Sequence, residues 1–163
     1  MSTRCNIRVI LKEEDRNKDL KFNPGLIKEF DENDWGEDQI KVENGMWDTV
    51  NPNGGKALYI YSHWDGYPEG GVGETLVDDY DTYEKALNLV LVGDISSMCG
   101  KLSPYSLRCG ENWDDIKPES INEDKPCKND YDYMFKDDKW YFRSYGDTKW
   151  RDLKKYLSDS KKD

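Results

Sequence analysis

The pattern of hydrophobic and polar residues along the chain predicts several β-strands. Between residues 6 and 12 the apolar positions fall on one face of such a strand. Between residues 57 and 64, "ALYIYSHW", large apolar side chains occupy both faces, which predicts a central strand. The segments "YDYMF" and "KWYFRSY" stand on either side of Asp137 and Asp138, and this arrangement predicts a hairpin.

From Val72 onward the apolar residues recur every three or four positions, which is the spacing of an amphipathic helix. The polar pair Asp81-Thr82 divides this run into two predicted helices. Asp81 and Glu84 fit a capping box, in which each side chain accepts a hydrogen bond from a backbone N–H of the first turn. The second helix is predicted to cover about residues 82 to 92 and to end at Gly93.

The C-terminal segment "TKWRDLKKYLSDS" predicts a third helix. Its apolar side carries Trp150, Leu153 and Leu157, and lysines occupy the other side. Strands and helices that follow one another in this order favour an α+β fold, with a mainly antiparallel sheet and helices packed on one face. The length favours a single domain over residues 1–163.

The connections between these elements are polar. Residues 51–56, "NPNGGK", predict a turn, and "QIKVENGMW" before them predicts a hairpin around Asn44 and Gly45. Residues 103–130 contain three prolines and many acids with little periodicity. We therefore predict that residues 103–130 form a long acidic surface loop.

Acidic residues outnumber basic ones by 34 to 24, which gives a formal net charge of -10. The summed field repels phosphates and anionic lipids, so no direct contact with nucleic acid or membranes is expected and a basic partner is favoured. The alternative is that the acidity only keeps a small protein in solution. Aromatic residues make up 13% of the chain, which indicates a folded core despite the high charge.

Neither a metal site nor a cofactor is predicted. The cysteines are widely spaced without a C-x-x-C pair, and His63 is the only histidine. No apolar run approaches the ~20 residues of a membrane span, and the first residues lack a secretory signal, so a cytoplasmic location is expected. The cysteines are Cys5, Cys99, Cys109 and Cys127.

The stretch "HWDGYPEGGVGETL" joins the predicted central strand to the first predicted helix. A glycine-rich turn before a helix offers backbone N–H groups and the positive end of the helix dipole to an anion. Aromatic rings beside it would stack on a flat base, and His63 would orient the ligand by a hydrogen bond. The predicted ligand is a nucleotide or a cyclic nucleotide. The predicted contact residues are His63, Trp64, Asp65, Gly66, Tyr67, Gly71 and Gly73.

The same glycines also have a structural interpretation, in which they supply turn conformations and let the helix approach the strand. Their spacing is neither that of a P-loop nor that of the dinucleotide-binding fingerprint. Ser96 and Ser97 do not lie in a nucleophile elbow. A metal-independent phosphodiesterase that uses His63 as a general base stays open as an alternative, and the residues favour binding without turnover.

A second predicted surface is the acidic strip between residues 111 and 132. Such a strip would imitate a row of phosphates and block the basic groove of a nucleic-acid-binding protein, such as a nuclease. The alternative is a solvated loop without a partner. The acidic members of the strip are Glu111, Asp114, Asp115, Glu119, Glu123, Asp124, Asp130 and Asp132.

The motifs "STRCNI", "IYSHWDGYPEGGVGETL", "LVGDISSM" and "DYMFKDDKWYFRSY" follow one another along the chain. In this order they resemble a family of small proteins encoded by tailed bacteriophages. The resemblance covers Ser2 to Ile10, Ala57 to Gly100 and Asp130 to Tyr145. Residues 20–56 depart from the pattern as an expected insertion. A further departure is "EGGVG", which has one glycine more than relatives often have.

The resemblance implies a bacteriophage accessory protein that acts in the host cytoplasm. For a small acidic protein of this origin it implies counter-defence, by sequestering a nucleotide-type ligand or by inhibiting a basic host protein such as a nuclease. The family has no settled activity, so these expectations rest only on what small acidic bacteriophage proteins often do.

Overall fold

The computed structural model describes residues 3–22, 49–63, 66–97, 103–104, 117–126 and 128–160. The strands are β1 (Cys5–Ile10), β2 (Leu20–Lys21), β3 (Thr49–Val50), β4 (Ala57–Ser62), β5 (Ile95–Ser97), β6 (Ser103–Pro104), β7 (Glu119–Ile121), β8 (Tyr131–Lys136), β9 (Lys139–Ser144) and β10 (Arg151–Asp152). The helices are α1 (Val72–Asp79), α2 (Tyr83–Val90) and α3 (Leu153–Ser160), and a 3₁₀ turn covers Glu13–Asp15.

The main sheet has the strand order β10-β9-β8-β1-β4-β5-β6, and β7 pairs with the first half of β4. Most neighbouring strands run antiparallel, while β1 and β8 form a parallel pair and so do β4 and β5. A separate antiparallel pair joins β2 to β3 at the two ends of residues 22–48. The predicted α+β fold with a mainly antiparallel sheet is therefore confirmed.

One face of the sheet, here called the helix face, carries the main core. Alternate residues of the central strands, such as Ile7, Ile60 and Tyr133, form one buried cluster with the apolar side chains of all three helices. Leu76 of α1 and Leu153 of α3 are fully buried in this cluster. Burial of this apolar surface is the main force that holds the helices on the sheet.

The opposite face, here called the polar face, carries Asn6 and Arg8 of β1 and Asp132 of β8 in register beside one another. All three side chains are buried. The residues from Glu119 to Pro126, here called the covering segment, contact this face through hydrogen bonds from Arg8 and Arg143. The covering segment includes β7, which lies within the part of the chain predicted to be a surface loop.

The hairpin around Asp137 and Asp138 is confirmed, and both residues have a positive φ, as a tight two-residue turn requires. The prediction that Asp81 caps the second helix is wrong. Thr82 is the N-cap, since its side chain accepts from the backbone N–H of Lys85. Asp81 instead forms an exposed ion pair with the ammonium group of Lys85.

Two further sequence predictions have different outcomes. Trp150 precedes α3, and its ring stacks on Arg143, so it does not belong to the apolar side of the helix. The predicted turn at residues 51–56 is confirmed by the positive φ of Asn53 and Gly54. The hairpin predicted around Asn44 and Gly45 lies outside the described residues. Among the described residues, no helix combines the length and the apolar character needed to cross a lipid bilayer.

Candidate functional site

The predicted turn lies at one end of the sheet. Cys5 pairs with Ser62 and with Tyr131, and Tyr131 pairs with Ser144, so the connections next to these four residues come together. Because β4 and β5 run parallel, the chain must cross over the sheet through α1 and α2, and this crossover starts at the same end. We call this surface the sheet end, and its described residues are Thr3–Arg4, His63, 66–71, 129–130 and 145–146.

Gly66 has a structural role at the sheet end. Its backbone N–H donates to the carbonyl oxygen of Thr3 at 2.8 Å, and its own carbonyl accepts from the hydroxyl of the buried Tyr133 at 2.6 Å. A Cβ at this position would lie 2.8 Å from the Thr3 oxygen and 3.0 Å from the Cβ of Cys5. Only glycine therefore lets the turn pack onto the start of β1, and the backbone N–H of Gly66 is used inside the fold.

Gly73 also has a structural role. Its N–H donates to the carbonyl oxygen of Tyr67 at 3.1 Å, and a Cβ would lie 2.5 to 2.9 Å from three backbone atoms of Pro68. These distances from the Cβ to Pro68 are all shorter than ordinary van der Waals contact. The sequence predicts that this N–H group binds an anion. In the structure it forms a hydrogen bond within the turn instead.

The backbone N–H groups at the start of α1 differ from those of Gly66 and Gly73. Gly71 is the N-cap, and its carbonyl accepts from the N–H and the hydroxyl of Thr75. The N–H groups of Gly71 and Val72 have no acceptor among the described residues, as is usual for the first N–H groups of a helix. Tyr67 keeps 42% of its surface exposed. Gly71 and Val72 are themselves buried, so the exposed residues of this part of the turn are Tyr67, Glu69 and Gly70.

The side chain of Glu69 ties this turn to α3. It accepts a hydrogen bond from the hydroxyl of Tyr156, and this bond is the largest reason why the pKa of Tyr156 is raised above its usual value. Tyr156 also packs against Phe142, with the ring centroids 4.8 Å apart. Glu69, the one acid among the described residues of this turn, is therefore held against α3 on the helix face.

His63 lies on the polar face, where Tyr61 precedes it on the same side of β4. The hydroxyl of Tyr61 and Nδ1 of His63 are 2.7 Å apart, and the two rings meet edge to face with their centroids 5.9 Å apart. The backbone N–H of Tyr61 donates to Asp94 and that of His63 to the carbonyl of Ile95. The structure thus separates His63 from the glycines, which fold toward the helix face. Trp64 and Asp65 lie outside the described residues.

Two asparagines near this pair were not found by sequence reasoning. Asn6 is buried opposite Tyr61, donates to the carbonyl of Ile60 at 3.2 Å and accepts from the side-chain amide of Asn129. In an alternating strand, a polar residue at this position normally predicts the solvent side. The only available signal was that Asn6 and Arg8 interrupt an otherwise buried strand.

Sequence reasoning also missed a buried charge cluster on the polar face. Arg8 donates through two nitrogens to the carboxylate of Asp132, and Arg143 donates to the same carboxylate at 3.2 Å. Arg8 and Asp132 are 0% exposed. The indole ring of Trp150 covers both guanidinium groups, with its centroid 5.2 Å from Arg8 and 4.2 Å from Arg143.

The same two arginines hold the covering segment in place. Arg8 donates to the carbonyl oxygen of Glu123 at 3.1 Å and Arg143 to that of Lys125 at 2.6 Å. Burial raises the pKa of Asp132, and the two guanidinium charges act in the opposite direction with a smaller effect. Since the cluster joins β1, β8, β9 and the covering segment, its first role is to connect distant parts of the chain.

The acidic strip is largely neutralised where the structure describes it. Asp132 belongs to the buried cluster, so its predicted exposure is wrong. Glu119 pairs with Lys125 at 3.1 Å, and Glu123 pairs with Lys136. The carboxylate of Asp130 accepts from the backbone N–H of Arg4. Asp124 is exposed, and Glu111, Asp114 and Asp115 lie outside the described residues.

The clefts lined by described residues include two that lie away from the glycine-rich turn. A cleft of about 720 Å³ is lined by residues 52–55 and by the covering segment. A cleft of about 320 Å³ lies between Val77, Trp140 and Lys154. Within the described ranges, no group of three histidine, cysteine, aspartate or glutamate residues is placed to hold a metal ion.

Comparison of the chain with protein-family models, curated proteins and solved structures finds no match. The resemblance to tailed-bacteriophage proteins therefore stays a prediction from the sequence motifs.

Proposed function

We propose that this protein is a binding protein that sequesters a nucleotide-type ligand at the sheet end. In keeping with the sequence resemblance, we further propose that it is a bacteriophage accessory protein that acts against a host defence. The observation that carries the binding proposal is the position of the turn, which follows the carboxyl end of β4 where the crossover to the parallel β5 begins. In open sheets with parallel strands, ligands commonly bind beyond this end of a strand.

Two features of this position suit such a ligand. The helix dipole at the start of α1 favours an anion near this surface, although Gly71 and Val72 themselves are buried. Tyr67 offers an exposed ring for a base to stack on. The N–H groups of Gly66 and Gly73 are not part of the proposed site, because they are bonded within the turn.

The proposal is tested by calorimetric titration with a panel of mononucleotides, dinucleotides and cyclic nucleotides. Tyr67→Ala is the informative variant, since the hydrogen bond of Tyr67 to Gly73 uses its backbone carbonyl and survives the change. Stacking of a base on an aromatic ring is worth about 1–3 kcal/mol, so we expect affinity to fall about 5- to 150-fold.

Tyr141→Ala is the matched control, because Tyr141 is a partly exposed tyrosine near the other end of the sheet. It should leave the affinity unchanged. Ligand released by heat and analysed by mass spectrometry should be chemically intact, as sequestration requires. No binding heat from any member of the panel, or equal losses in the two variants, would contradict the proposal.

A further inference from the structure

We infer that the polar face holds a second binding site, at Arg8 and Arg143, which takes a phosphate group when the covering segment moves away. The structure shows this site closed, because the backbone carbonyls of Glu123 and Lys125 accept the hydrogen bonds that phosphate oxygens would accept. The site lies on the polar face and not at the sheet end, so the inference does not rest on the proposed function.

The buried cluster carries more positive than negative charge. The side chains of Arg8 and Arg143 are 0% and 7% exposed, and Asp132 between them is 0% exposed. Among the described residues, no other carboxylate pairs with either guanidinium group, since Glu119 and Glu123 of the covering segment pair with lysines. A buried charge without a counter-charge is costly. The cluster therefore favours one further anion.

Arg143 also keeps an unused donor in this cluster. Its Nη2 atom donates both to the carboxylate of Asp132 and to the carbonyl oxygen of Lys125. Its Nε atom is buried and has no hydrogen-bond partner among the described residues, which is unfavourable. A guanidinium group presents its donors as a planar fork that matches phosphate oxygens. These donors thus suit a ligand that brings several acceptor oxygens.

The part of the covering segment that closes the site is held by polar contacts. Ile121 of β7 is buried and anchors one end, whereas none of the described side chains from 122 to 126 is buried. Residues 122–126 contact the sheet through the bonds from the two arginines, the ion pair of Glu123 and the ammonium group of Lys125, which lies over a tyrosine ring of β4. Lifting these residues removes no apolar side chain of their own from a buried position.

A phosphate group can replace the covering segment by an exchange of hydrogen-bond partners. A carbonyl oxygen carries only a partial charge, whereas phosphate brings a full negative charge to two guanidinium groups, so its attraction is stronger. Asp132 and the ring of Trp150 hold both groups in place, with the ring centroid 5.2 Å and 4.2 Å from the guanidinium carbons. The donors are therefore already arranged for the ligand.

Calorimetric titration with inorganic phosphate at constant ionic strength tests the site. Arg143→Met removes one guanidinium group, while Arg8 keeps its two bonds to Asp132. We expect phosphate affinity to fall about 12- to 150-fold, which is the effect of losing a hydrogen bond to a charged group. Arg151→Met is the matched control, since it removes the same charge from an exposed arginine, and it should leave the affinity unchanged.

Two variants of the covering segment test whether it closes the site. Glu123→Gln removes the ion pair that joins the segment to Lys136 of β8, so phosphate should bind about 1.4- to 5-fold more tightly. Glu119→Gln is the matched control, because Glu119 pairs with Lys125 inside the same segment. Its smaller effect on affinity measures the change in net charge alone.

Hydrogen exchange followed by mass spectrometry reports the movement of the covering segment. Saturating phosphate should accelerate exchange of residues 122–126 in the unchanged protein and should have no such effect in Arg143→Met. Circular dichroism confirms that each variant is folded. If Arg143→Met is not folded, Arg143→Lys replaces it, since lysine keeps the charge and loses the fork of donors, and phosphate binding should again weaken.

The outcomes separate this site from the sheet end. Phosphate binding that is absent from both the unchanged protein and Glu123→Gln, that persists at full strength in the Arg143 variants, or that leaves exchange of the covering segment unaltered would overturn the inference. Nucleotide binding that is lost in Arg143→Met and kept in Tyr67→Ala would instead contradict the proposed function, because the nucleotide would then occupy the polar face.

Discussion

The glycines of the turn give a direct test of how the crossover is built, and Gly73→Ala is the most informative change. The added Cβ would lie 2.5 Å from the carbonyl oxygen, 2.6 Å from the Cα and 2.9 Å from the carbonyl carbon of Pro68. These atoms belong to the backbone of a proline, which cannot rotate away as the end of a flexible side chain would. The turn must therefore shift, and the bond from Gly73 to Tyr67 must lengthen or break.

The expected cost follows from two contributions. Forcing an extra carbon into a packed region typically costs about 1–3 kcal/mol. Loss of one hydrogen bond adds about 1 kcal/mol. We therefore expect Gly73→Ala to lower the free energy of unfolding by about 2–4 kcal/mol, which for a chain of this size corresponds to a decrease in Tm of roughly 4–16 °C.

Gly70→Ala is the control from the same turn. Gly70 has a φ of +71° and no atom within 4 Å of the position of a new Cβ. The change therefore costs only the strain of a left-handed backbone, about 1–2 kcal/mol. Urea unfolding followed by circular dichroism measures both variants. A Gly73→Ala protein as stable as Gly70→Ala would refute the argument, because the contact with Pro68 would then not exist in solution.

Two further predictions concern buried polar groups. Arg8→Met leaves the buried carboxylate of Asp132 with one guanidinium partner, so we expect a loss of about 3–5 kcal/mol in urea unfolding. The double variant Arg8→Met, Asp132→Asn should be more stable than the single one, and an equally unstable double variant would count against the charge cluster. Burial and the hydrogen bond to Asp15 raise the pKa of Tyr83 above its usual value of 10.0. Its stabilising contribution is complete below pH 10 and is lost above it, so unfolding measured at pH 9 and 11 should show a smaller loss for Tyr83→Phe than for the unchanged protein.

The sequence was most informative where an element depends on its own residues. The apolar run of β4 and the Asp137-Asp138 turn both act within a few positions, so the central strand and the hairpin were predicted correctly. The choice of helix cap was less certain, because Asp81 and Thr82 are both good caps and only the geometry of the chain selects Thr82. These are local interactions, and they are readable without knowledge of the fold.

The polar face could not be predicted for a different reason. Arg8 and Asp132 are 124 positions apart, and each looks like an ordinary solvent-facing residue in its own strand. Their burial depends on the covering segment, whose three-residue strand β7 has too few residues for a period to be recognised. The sequence also could not show that the predicted site is divided between two faces of the sheet. The register of β4 places His63 on the polar face, while the turn folds toward the helix face.

The position of β1 between β4 and β8 bears on how the chain is made in the cell. One edge of β1 finds its partner as soon as residue 62 is available, while the other must wait for residues 131–136. At synthesis rates of about 5–20 residues per second, the interval lasts roughly 4–15 seconds. During that time the nascent chain carries an unpaired strand edge beside the core, which is the period in which it is most open to association with other chains.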